Sequence, residues 1–94
     1  QKTAYEMLRS LVGSEMCIET VGDLDRVEQV VKILGMINAH ADFERQNKVL
    51  NGASDLFFEV FGSKIGCHAR SSVGVDSLVD RQPVEIEGTF LIRD

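Results

Sequence analysis

The chain has no tryptophan, one proline, one tyrosine and two cysteines in 94 residues. Cys17 and Cys67 lie far apart with no CxxC spacing, which excludes a zinc knuckle and a redox dithiol and fits a reducing, cytoplasmic setting. No apolar run approaches the roughly 20 residues that would span a bilayer, and no charged-then-apolar leader is read at the start. The ten Lys and Arg residues are scattered against fifteen Asp and Glu, for a net charge of -5. That balance disfavours extended contact with nucleic acid or anionic lipid, which relies on clustered basic side chains. Repeats, linkers and low-complexity segments are also missing. What remains is 44% hydrophobic and 27% charged, an ordinary composition for a small globular domain. A domain this short buries only about 60 to 65% of its unfolded surface, so a partner subunit is expected.

Residues 4–12 place Met7, Leu8, Leu11 and Val12 at helical spacing, with Gly13 as the stop. From Arg26 onward, Val27, Val30, Val31, Ile33, Leu34, Met36 and Ile37 form a β-branched run that predicts a strand buried on both faces, with Gly22-Asp23 as the turn before it. Asp42 is placed as an N-cap. A helix is expected over about 49–61, with the apolar stripe Leu50, Ala53, Leu56, Phe57, Val60 and Phe61, and Gly62 as its stop. Asn51-Gly52 could instead form a hairpin turn, but the residues after it keep helical spacing. Strand alternation returns over Arg70–Val75 and again over Val84–Ile92, where Glu85, Glu87 and Thr89 oppose Val84, Ile86, Phe90 and Ile92. The order helix, strand, helix, strand, strand predicts an α+β domain, a sheet with helices on one face.

The stretch Cys67-His68-Ala69-Arg70-Ser71-Ser72-Val73-Gly74-Val75, with Pro83-Val84-Glu85-Ile86-Glu87-Gly88 after a turn, carries most of the chemistry. It sets an arginine and two carboxylates on what read as adjacent strands. The fork of donors on Arg70 matches a carboxylate bidentately, which would anchor a small organic acid; the plainer reading is an ion pair with Glu85 or Glu87. Glu85 and Glu87 share one side of their strand, either as an acid pair in a dry site or as a solvated polar face. Asn51 could donate to a ligand or simply cap its helix. His68 and Cys67 point to opposite faces and His40 lies in a polar turn, so no metal is assigned. Ser71 and Ser72 lack a nucleophile elbow. Phe57, Phe58 and Phe61 at helical spacing read as core.

From Arg70 through Glu87, and back through Gly22-Asp23-Leu24-Asp25-Arg26-Val27 and Asn51-Gly52-Ala53-Ser54-Asp55-Leu56, the chain resembles the reactive-intermediate deaminases. This is the Rid, YjgF or L-PSP endoribonuclease family, of chorismate-mutase-like fold, and the likeness covers about residues 20–94. Gly52-Ala53-Ser54-Asp55-Leu56 with His68 to Val75 is similar to a subgroup whose own activity is less well defined. The resemblance implies hydrolysis of small 2-imino acids to 2-oxo acids and ammonia in a homotrimer, with no cofactor. It implies that Arg70 grips the substrate carboxylate, that Glu85 orients or activates the attacking water, and that Asn51 and Ser72 line the pocket. Ser72 stands where some members have cysteine, so a thiol is not required. Where a Leu-Pro pair usually follows the arginine strand, this chain has Leu78-Val79, with Pro83 later.

The strands of the family's first half have no counterpart here, so a partial domain over 19–94 with little activity of its own is expected. Residues 1–18 resemble a translated sequencing-adapter read, and the chain opens on Gln1, which reads as processing or a fragment. Two alternatives accompany the hydrolase expectation: a non-catalytic trimeric binder of small carboxylates, and an RNA-cleaving enzyme.

Overall fold

A computed structural model describes residues 22–93. The helix expected over 4–12 and the adapter-like segment 1–18 lie outside the described residues. A short 3-10 turn, Leu24–Arg26, is capped by the Asp23 carboxylate, which accepts from the Asp25 amide at 2.9 Å. It leads into strand β1, Val27–Asn38. Helix α1 runs Gln46–Ile65, strand β2 Ala69–Val75 and strand β3 Val84–Ile92.

The sheet order is β2-β1-β3, with β1 central, parallel to β2 and antiparallel to β3. Parallel neighbours cannot be joined by a tight turn, and α1 is the crossover that connects β1 to β2. Two register shifts interrupt β1 against β3, between Val27 and Gln29 and between Val30 and Lys32. They bring Val27, Val30 and Ile33 onto the buried side although their spacing is three rather than two.

One apolar core lies between the sheet and α1: Leu24, Val30, Ile33, Leu50, Ala53 and Phe57, with Leu56, Phe61, Ile86 and Phe90 packed against it. The strand expected to be buried on both faces is covered on one. Val31 is 45% exposed, and the side holding Lys32, Leu34 and Met36 has no second layer among the described residues, because the single helix covers only the other side.

Helix α1 is longer than its apolar stripe predicts. Its N-cap is Arg45, which provides no side-chain hydrogen bond, so Asp42 is not the cap. The Gln46 side chain donates back to the Phe43 carbonyl at 2.8 Å. Asn51-Gly52 is helical and not a turn. Gly62 does interrupt the helix, with φ 85° and ψ 175°, a backbone region that glycine enters without a Cβ penalty. One more turn follows it to Ile65, and Gln29 from β1 closes that end by donating to the Lys64 and Ile65 carbonyls at 3.1 Å each and to the Cys67 carbonyl at 2.5 Å.

Candidate anion-binding site

Ser54 is the one buried polar residue among those described, on the same face of α1 as Leu50, one turn earlier. A buried hydroxyl needs partners, and it has two. Its Oγ lies 2.9 Å from His68 Nε2 and accepts from Arg70 Nη1 at 3.1 Å. His68 Nδ1 lies 2.5 Å from the Gly66 carbonyl oxygen. A carbonyl can only accept, so Nδ1 carries a proton, and in the neutral ring Nε2 is then the acceptor. The Ser54 hydroxyl therefore donates to Nε2 and keeps its lone pairs for Arg70. The donors form one directed chain, from Arg70 to Ser54 to His68 to the backbone of Gly66.

The His68 ring is fixed by packing as well. Phe57 meets it edge-on at 5.8 Å between ring centroids, and Phe58 lies tilted against it at 5.6 Å. Phe57 in turn packs on Phe61 and Phe90, so the ring is tied to the core. Arg70 is exposed while its Nη1 is held, which leaves the rest of its donor fork facing solvent. Among the described residues it makes no ion pair with Glu85 or Glu87.

The register decides where the other expected site residues lie. Arg70 pairs with Ile33, Ser72 with Gly35 and Gly74 with Ile37, so these three share the side of the sheet that carries α1. Glu85 pairs with Met36 and Glu87 with Leu34, on the opposite side. The two segments read as adjacent strands are the outer strands, with β1 between them. Two strand spacings across and three residues along separate the Cα atoms of Arg70 and Glu85 by roughly 14 Å. One copy of the described chain therefore does not bring Arg70 and Glu85 into a shared cavity. Asn51 sits six residues into α1, exposed and one turn before Ser54, so it does not cap the helix. Ser72 is half-buried beside Arg70 on β2.

The departure at Leu78-Val79 has a structural counterpart. Residues Val79–Arg81 form a 3-10 turn in which Asp80 and Arg81 have φ of 55° and 58°. Asn38 anchors the far side of that turn, its amide to the Pro83 carbonyl at 2.9 Å and its side chain to the Gln82 carbonyl at 3.3 Å. His40 is exposed in its turn, and no group of three or more His, Cys, Asp or Glu that could hold a metal occurs among the described residues. No helix among them is long and apolar enough to cross a membrane. Sequence reasoning passed over Ser54 and gave His68 little weight. The available signal was a serine inside the apolar stripe of α1, between Ala53 and Phe57, where burial demands a partner.

The chain matches no protein-family model. It is similar to Protein TCP17 of Trypanosoma cruzi, with 48% identity over 67 residues that cover 71% of this chain and 42% of that protein. Among solved structures it is similar to Atu1372 of Agrobacterium tumefaciens, a protein of unknown function, with a TM-score of 0.75 and 37% identity over 80% of this chain and 46% of that one. It is also similar to "a putative endoribonuclease" of Shewanella oneidensis MR-1, with a TM-score of 0.67 and 29% identity over 73% of this chain and 45% of that one. The fold is chorismate-mutase-like, of the YjgF type. The chain spans less than half the length of these relatives.

Proposed function

We propose that the protein is a YjgF/L-PSP family member that holds small organic carboxylates at Arg70 and hydrolyses 2-imino acids where a second subunit supplies Glu85. The observation that carries this reading is the tethered arginine: one guanidinium nitrogen is held by Ser54 while the residue is otherwise exposed, in the geometry of an anchor for a carboxylate. The likeness to a protein described as "a putative endoribonuclease" supports the family, and the carboxylate role follows the arginine.

In the proposed reaction, water adds to the imine carbon while the Glu85 carboxylate takes a proton. Glu85 then returns that proton to the nitrogen, and the tetrahedral adduct expels ammonia and leaves the 2-oxo acid. An imine already hydrolyses in water, so holding its carboxylate and supplying a general base, worth typically 10² to 10⁴-fold, is sufficient machinery. Because Glu85 and Arg70 sit on opposite sides of one sheet, their meeting requires the open side of one subunit to face the helix-bearing side of its neighbour, as in a homotrimer. Asn51 and Ser72 would flank the bound acid, on α1 and β2. The chain taken alone would then have no turnover. A cytoplasmic setting agrees with the free, exposed thiol of Cys67.

Subunit mixing tests the shared site. In the full-length protein, Arg70→Ala and Glu85→Gln should each abolish imino-acid turnover, and equimolar mixed trimers should recover about a quarter of the wild-type rate, since one interface in four pairs an intact arginine with an intact glutamate. Equal rates for wild type and Arg70→Ala would remove the role of the arginine. Binding of a 2-oxo acid without imine turnover in the wild type would leave a carboxylate binder and not an enzyme. Retention and cleavage of RNA, which the net charge of -5 argues against, would favour the ribonuclease reading instead.

A further inference from the structure

Anchoring a ligand with an arginine on an exposed strand has a cost, because the long side chain must be ordered first. The Ser54, His68 and Gly66 chain meets that cost before any ligand arrives. With the ring neutral the links run in one direction: the Gly66 carbonyl accepts from Nδ1, Nε2 accepts the Ser54 proton, and Oγ offers lone pairs to Arg70 Nη1. The ring is locked between Phe57 and Phe58, and Ser54 is held on a buried face of α1. The network thus transmits the rigidity of the core to a solvent-facing guanidinium, and polarisation along consecutive hydrogen bonds strengthens it.

We infer that Ser54 and His68 are positioning residues that pre-orient Arg70 for a small organic carboxylate, with His68 Nδ1 bearing the proton that meets the Gly66 carbonyl. This rests on the proposed role of Arg70 as the anion anchor. The Gly66 carbonyl, which can only accept, places a proton on Nδ1 and fixes the ring's orientation. Ser54 is not assigned as a nucleophile: its lone pairs face the arginine, and it is only 7% exposed.

The test uses 2-oxobutanoate as the probe, titrated by calorimetry into the full-length protein, with nitrogen NMR of the His68 ring and the Arg70 guanidinium. Releasing one tethered side chain corresponds to about a 3- to 10-fold loss of affinity, so Ser54→Ala and His68→Phe should each weaken probe binding by that factor. His68→Gln, which returns an acceptor near the Nε2 position, should recover most of it. The wild-type ring should show a protonated Nδ1, and the guanidinium nitrogens should be slowed in wild type and released in Ser54→Ala. If Arg70→Ala binds the probe as tightly as wild type, the anchor itself is wrong and the positioning role falls with it. If Arg70→Ala loses binding while Ser54→Ala and His68→Phe keep wild-type affinity, the anchor stands and the positioning role is overturned. Should Ser54→Ala fail to fold, the wild-type spectrum still decides: a bare Nδ1 at the pH where the probe binds would refute the tether.

Discussion

Gly35 lies at the middle of β1, paired with Ser72 on one side and Ile86 on the other, directly beneath Leu50 of α1. A Cβ added there would stand 2.6 Å from Leu50 Cδ1 and 2.9 Å from Cδ2, about 1 Å inside the usual 3.5 to 4.0 Å carbon contact. Leu50 is fully buried, so its side chain must repack or the helix and strand must shift apart. Overpacking of this kind costs about 1 to 3 kcal/mol. The reduced freedom of the unfolded chain returns about 0.4 to 1 kcal/mol, since Gly35 has no positive φ to strain an alanine. Gly35→Ala should therefore destabilise by up to about 2.6 kcal/mol, read as a lower urea midpoint with unchanged slope at fixed protein concentration. Leu50→Ala should cost about 2 to 5 kcal/mol by itself, and the double variant should be more stable than the sum of the two by about 1 to 3 kcal/mol, because the new methyl then enters vacated space. Additivity within about 0.5 kcal/mol would refute the steric account. Since Ser54 sits one turn beyond Leu50, Gly35→Ala should also loosen the Arg70 tether and weaken carboxylate binding.

Two further outcomes follow from the packing. Gln29→Leu removes the donor that closes the end of α1 against the Lys64, Ile65 and Cys67 carbonyls; because water can reach those oxygens, the expected loss is about 1 kcal/mol, with faster amide exchange confined to the last turn. Phe57→Ala should cost about 3 to 5 kcal/mol and broaden the His68 ring resonances, since Phe57 joins that ring to Phe61 and Phe90; denaturant melts and the ring spectrum check both.

Individual elements were legible because their signals are local. The β-branched run from Val27 to Ile37, the Leu50, Ala53 and Phe57 stripe, and the alternation from Val84 to Ile92 each depend on the period of one element, and the α+β class follows from their order. Errors began at the element ends. Asp42 has the chemistry of an N-cap, yet α1 starts at Gln46 without one, as packing of a long helix outweighs one capping bond. Burial of β1 on both faces was a count of layers, and a strand's own residues do not show how many layers cover it.

By itself the sequence determined which residues are apolar at which period, that an arginine with spare donors lies on one strand, and that two carboxylates share a face of another. Only the tertiary structure decided that β1 runs between those strands, that the register puts Arg70 and Glu85 on opposite sides of the sheet, and that Ser54, His68 and Arg70 meet. The physical reason is that strand order and register are set by long-range pairing around a shared core. A one-residue change in that register would move every side chain to the other face, whereas the period of a segment would stay the same.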